Sequence, residues 1–296
     1  MAGLKRLFQI WMRRGWKWWQ LPAAVLLGLL ALFVCRGAWL DLGLTAWRDE
    51  EQSHILLVPV VAAWLVWVRR GRLRRCRPGG GGLGLALVLA GGPLTMWGYH
   101  SAIYTFWYGG AVLVLVGAVL AVLGSDLAWA FAPALGVLAF LVPVPGTLRQ
   151  QIALPLQTIT AQVTQQIFDL GGIAVERSGN LLSINGVDVT IVDACNGLRM
   201  VFALALVSFA FAFGTPLRGY VRLVVLVLSP LSAVVCNVIR LVPTLWIYGY
   251  YNAWAKGFHD VSGWLMLPLA FLLLMGIIRA LRWALVPVQV FTLAYD

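Results

Sequence analysis

A thiol, a guanidinium and an imidazole together can run a transfer reaction at a carbonyl: nucleophile, cation for the developing oxyanion, and proton carrier. This sequence offers one such set. Cys195 stands in "VDACNGLRM", Arg240 in "CNVIRLVP" and His259 in "KGFHDVSGW". Asp193 can cap the helix that "ACNGLRM" opens, which would place the thiol in a first turn, where the helix dipole favours a thiolate. Asn196 adjoins the thiol, and Arg199, four residues on, shares its helical face. Asn237 shares the face of Arg240 at a spacing of three. His54, in "DEEQSHILLVP", is a second histidine candidate, whereas His100 has no acidic or thiol neighbour in sequence. Plainer roles exist for each residue type. A lone membrane cysteine is usually a small apolar packer, the reading for Cys35 and Cys236, and an arginine at a helix end can snorkel to headgroups.

The elements that must position these residues are membrane helices. The 296-residue chain is 61% hydrophobic and 11% charged, with a mean hydropathy of +0.87, beyond what a solvated globular surface carries. The fold class expected is an all-α polytopic membrane protein. Stretches long enough to span run over 21–39, 53–68, 83–99, 107–123, 127–142, 197–213, 220–239 and 262–281, with 241–251 extending the seventh past Pro243. The N-terminus is basic, then apolar, and reads as an uncleaved first helix. With both termini in the cytoplasm, fifteen of the 22 Lys and Arg residues fall on that side, as the positive-inside bias requires. The net charge of +11 is thus topology, and nucleic acid is not an expected partner.

Residues 143–195 then lie outside. Ile152, Leu156, Ile159, Val163, Ile167 and Leu170 recur at three and four among Gln and Thr, the pattern of a helix lying in the membrane interface. Beyond it Val187, Val189 and Ile191 alternate with Asp188 and Thr190 after an Asn185-Gly186 turn signal, so a small β-hairpin is expected, three-stranded if 173–177 joins it. The organisation expected is a five-helix part over 1–142, an extracytoplasmic interfacial helix and hairpin over 143–194, a three-helix catalytic part over 195–282 and a cytoplasmic tail over 283–296. In it Cys195, Arg240 and His259 reach one membrane face from three successive helices.

The segments "SHILLVP", "PVPGTLRQQIALPLQ", "GNLLSINGVDVTIVDACNGLR", "NVIRLVPT" and "FHDVSGW" resemble, in order, the signatures of the exosortase/archaeosortase family of prokaryotic membrane transpeptidases. The stretch they mark out, from the first segment to the last, covers about two thirds of the chain. Asn196 stands where serine is common in that family, and "SHI" where many members show Ser-His-Gly. The resemblance implies that Cys195, Arg240 and His259 are catalytic. It also implies that the substrates are exported proteins bearing a C-terminal sorting tail, a Pro-Glu-Pro-like motif before a transmembrane helix and a basic cluster. Cleavage would pass through a thioacyl intermediate, followed by transfer to a cell-surface acceptor such as an exopolysaccharide or lipid. The place implied is the bacterial cytoplasmic (inner) membrane, with lipid around the spans and the active site on the extracytoplasmic side. No metal-ligand cluster, phosphate loop or nucleotide fingerprint is present in the sequence, so neither cofactor nor metal is expected. The rival readings are a transporter and a non-catalytic membrane assembly factor. A transporter predicts ionisable residues at the midplane and two similar halves, and the first four spans show no evident echo in the last four.

Overall fold

The computed structural model describes residues 16–77, 79–190 and 197–283. It is mostly helical, with one small sheet. The chain divides into two compact units, Met1–Pro145 and Gly146–Asp296. Four helices are long and apolar enough to cross a membrane, or up to six if each of two bent helix pairs is one span; shorter apolar stretches occupy Met200–Gly214 and Phe271–Ala280 among the described residues.

In the first unit, α1 (Gln20–Val34) and α2 (Arg36–Arg48) meet at Cys35 with a bend of 75°. The expected straight span over 21–39 is therefore broken: the apolar run meets Arg36 and turns. α2 buries Ala38, Leu42 and Ala46 and exposes Leu40, Leu44 and Trp47. Its Asp41 accepts a hydrogen bond from the hydroxyl of Tyr108. A 3-10 turn over Glu50–Leu57, capped by Asp49 accepting from the Glu51 amide, leads into α3 (Val58–Val68).

α4 (Gly82–His100) and α5 (Tyr104–Leu123) form an antiparallel pair packed backbone to backbone. Gly84, Gly91 and Gly98 on α4 and Gly110 and Gly117 on α5 recur every seven residues. A Cβ on Gly91 would sit 2.8 Å from the Gly110 carbonyl oxygen, and one on Gly117 2.7 Å from that of Gly84. Small residues at such seams let membrane helices approach closely. At the turn end Trp97 stacks on Phe106 and Trp107 on Tyr108. Near the other end Trp16 donates from its indole to the Cys76 carbonyl and packs with Ala24, Cys76 and Leu123. The expected span over 127–142 is not one helix. It consists of α6 (Ser125–Ala130), α7 (Ala132–Gly136) and a 3-10 turn over Val137–Leu141, because Pro133 starts a new first turn and cannot supply an amide to the preceding one.

The second unit begins with α8 (Gly146–Leu170), which continues through Pro155. Its Ile152, Ile159, Val163, Ile167 and Leu170 are exposed, while Ala153, Thr160, Ala161, Thr164 and Phe168 are buried. A three-stranded antiparallel sheet follows, ordered β1 (Glu176–Ser178), β2 (Leu181–Ile184), β3 (Val187–Thr190). Ile184 pairs with Val187 across a two-residue turn in which Asn185 has φ 51° and Gly186 φ 76°. Positive φ at both central positions is the mirror-image turn that suits strand twist and favours Asn-Gly. Polar bonds tie the sheet to α8: Asn180 Nδ2 donates to Gln157 Oε1 at 2.9 Å and Arg177 Nε to Gln165 Oε1 at 3.1 Å. Three helices complete the unit: α9 (Gly197–Gly214), α10 (Gly219–Tyr250) and α11 (Asn252–Trp283). The 241–251 stretch does extend the helix before it.

Candidate active site

α10 holds the site together. It buries Val221, Val225, Ser229, Ala233, Cys236, Asn237, Arg240, Leu241, Thr244 and Leu245, recurring at three and four, so one long face packs inside the unit. Two clusters fix its register against α9: Ala212 packs with Val221 and Val225, and Met200, Val201 and Leu204 pack with Ala233 and Cys236. The helices are therefore antiparallel. One turn past Cys236, Arg240 comes level with the first residues of α9.

Against α11 the register is set by a hydrogen bond. Arg240 Nε donates to Ser262 Oγ at 3.1 Å, with Arg240 6% and Ser262 4% exposed. His259 lies on α11 three residues before Ser262, one turn toward the helix start. Arg240 is 21 residues from the Gly219 end of α10, and Ser262 is 21 residues from the Trp283 end of α11. At 1.5 Å per residue the two meet about 31 Å from those ends, which carry Arg218, Arg222 and Arg279.

A third helix, α8, contributes a wall whose buried residues the sequence did not single out. Leu156 of α8 packs on the Met200–Cys236 cluster, and Ala161 and Phe168 pack with Leu241 and Leu245. Thr160 and Thr164 lie on the same buried stripe, at the level of Arg240 and Thr244. Thr160 donates to the Leu156 carbonyl, as Thr244 does to that of Arg240. Thr164 Oγ1 and Asn237 Oδ1 are buried without a hydrogen-bond partner among the described residues, a costly condition inside a protein. The buried polar layer is thus Asn237, Arg240 and Thr244 from α10, Ser262 from α11, and Thr160 and Thr164 from α8. The signal available in sequence for Ser262 was its spacing of three from His259 in "HDVS".

Other expected site residues fall as follows. Asp193, Cys195 and Asn196 lie outside the described residues, in the six-residue link between Thr190 and Gly197. Arg199 belongs to the first turn of α9. His54 belongs to the first unit, 9% exposed, with Nδ1 3.2 Å from the Glu51 carbonyl oxygen. Among the described residues no group of three or more His, Cys, Asp or Glu side chains could hold a metal ion.

Arranged this way, a buried cation sits at the mouth of a helix and one turn from a histidine position, a layout that suits stabilisation of negative charge rather than surface solvation. No significant match is found among curated proteins or among solved structures. The family model described as transmembrane exosortase matches residues 46–276. That span takes in most of the chain, including the polar layer around Arg240, and the protein belongs to the transmembrane exosortase family.

Proposed function

We propose that the protein is a membrane cysteine transpeptidase that cleaves the C-terminal sorting signal of exported proteins and passes the released acyl end to a cell-surface acceptor. The observation that carries this reading is the buried Arg240, anchored on Ser262 at 3.1 Å and level with the start of α9, inside a family match that also spans Cys195 and His259. The Cys195 thiolate attacks the scissile carbonyl, forming the C–S bond. The oxygen that gains charge is met by Arg240. His259 gives a proton to the departing amine as the C–N bond breaks. The thioacyl enzyme is then attacked by an acceptor hydroxyl or amine, or by water, whose proton returns to His259 as the thiolate leaves. Arg199, Asn196, Asn237 and Asp193 are assigned supporting roles.

The topology that accompanies this reading has eight spans, both termini in the cytoplasm and the site on the extracytoplasmic side of the bacterial inner membrane. In its favour, the basic ends of α10 and α11 stand about 31 Å from Arg240 and Ser262, close to the roughly 30 Å of a hydrocarbon core. The substrate's own helix would lie against the spans, with α8 and the hairpin holding its extended motif beside Cys195.

The test co-expresses the protein with a precursor ending in a Pro-Glu-Pro motif, a transmembrane helix and a basic cluster, and identifies the new C-terminus by mass spectrometry. Wild type should cleave, and Cys195→Ala should leave uncleaved precursor; normal processing by that variant would refute the reading. Arg240→Ala should raise the barrier by about 2.7 to 4 kcal/mol, as loss of an oxyanion donor does. An effect confined to protein level would instead mark a structural arginine.

A further inference from the structure

We propose that Ser262 is a positioning residue for the transfer reaction, aiming the guanidinium of Arg240 at the scissile carbonyl; the inference rests on the role of Arg240 given above. The contact is specific. Ser262 Oγ accepts from Nε, the stem-side N–H of the planar fork. A bond there, together with the fixed chain at Cδ, sets the plane of the guanidinium and hence the direction of its four outer N–H groups. Both partners are buried, so the contact operates where water does not compete and a hydrogen bond to a charged group is strong.

The acceptor's chemistry matters as much as its place. A hydroxyl holds the direction of a cation without contributing a negative charge of its own. A carboxylate at the same position would pair with the guanidinium and weaken its pull on an oxyanion. Ser262 also ties that cation to the helix that carries His259, one turn away, so the spacing between the charge-stabilising group and the histidine position is set by a bond rather than by apolar packing alone. Preorganisation of this kind lowers the barrier because the dipoles need not reorient as charge develops.

The test is single-turnover cleavage of the purified tailed precursor by the full-length protein in lipid nanodiscs, at increasing enzyme concentration, giving a maximal rate and a half-saturating concentration. Ser262→Ala should lower the maximal rate by about tenfold while leaving half-saturation and the melting temperature near wild type. Ser262→Thr, which keeps the hydroxyl, should stay within about threefold of wild type. Ser262→Asp should melt no lower than Ser262→Ala yet cleave more slowly, a pattern that a purely structural serine does not produce. A Ser262→Ala maximal rate equal to wild type, or an Asp variant faster than the Ala variant, overturns the proposal while leaving the transpeptidase reading intact. A wild type that cleaves no faster than Cys195→Ala overturns both.

Discussion

Gly249, in the last turn of α10, is where the sheet docks, and Gly249→Ala should lift the sheet. A Cβ there would lie 2.8 Å from Cγ2, 3.1 Å from Cγ1 and 3.3 Å from Cδ1 of Ile184. Ile184 cannot give way easily. It is 1% exposed, sits in a core with Phe168, Leu182, Leu241 and Leu245, and its branched β-carbon restricts χ1. Asn185 Nδ2, in the adjoining turn, donates to the Gly249 carbonyl at 3.4 Å, so the turn moves with the clash. Overpacking of this kind costs about 1 to 3 kcal/mol. Against it stands about 1 kcal/mol gained by replacing glycine in a helix, leaving a net loss of about 0 to 2 kcal/mol. Ile184→Ala alone should cost about 2 to 5 kcal/mol by opening a cavity. In the double variant the new methyl group enters that cavity instead of clashing, so the two losses should fall short of their sum by at least about 1 kcal/mol. Thermal unfolding of the purified protein in detergent measures all three. Cleavage of the tailed precursor should fall in Gly249→Ala as well, because β3 leads within a few residues to Cys195. A Gly249→Ala protein as stable as wild type, with additive behaviour in the double variant, would refute the docking argument.

Two further outcomes concern the first unit. Tyr108→Phe removes the hydroxyl that donates to Asp41 and should destabilise the protein by about 1 to 3 kcal/mol, read as a lower melting temperature that Asp41→Asn partly restores. Burial, with Asp126 adding its negative charge, pushes the Cys76 thiol up from its ordinary range. Because the thiolate is the reacting form, maleimide labelling of Cys76 should be slow at neutral pH and climb only above the range of an exposed cysteine; rates followed peptide by peptide with mass spectrometry check this.

The hairpin was legible because it rests on local chemistry: Asn185-Gly186 specifies its turn whatever surrounds it, and the alternation of Val187 and Val189 specifies the face. The exposed row of α8 was legible for a related reason, since Ile152, Ile159, Val163 and Ile167 mark a stripe by period alone. Its other face was not. Ala153, Thr160, Ala161 and Thr164 are small or polar and look like solvent positions, and only the elements packed against that face, α10 and the sheet among them, make them interior. The break at Cys35 and the broken segment after Ser125 escaped for a different reason: hydropathy averages over a window and is blind to where the helix bends. Arg240 could be singled out from its charge, but its partner could not. Ser262 is 22 residues away, and the pairing depends on the register of α10 against α11, which no single segment encodes.

The glycine seam of α4 and α5 bears on how such a chain is made. The two helices are joined by three residues, 101–103, and their closest contacts lie between neighbours in sequence, so the pair can close with little loop entropy lost. During synthesis that closure needs nothing from residue 146 onward. The α4–α5 pair can enter the bilayer as one folded insertion step while the helices that carry Arg240 and Ser262 are still on the ribosome.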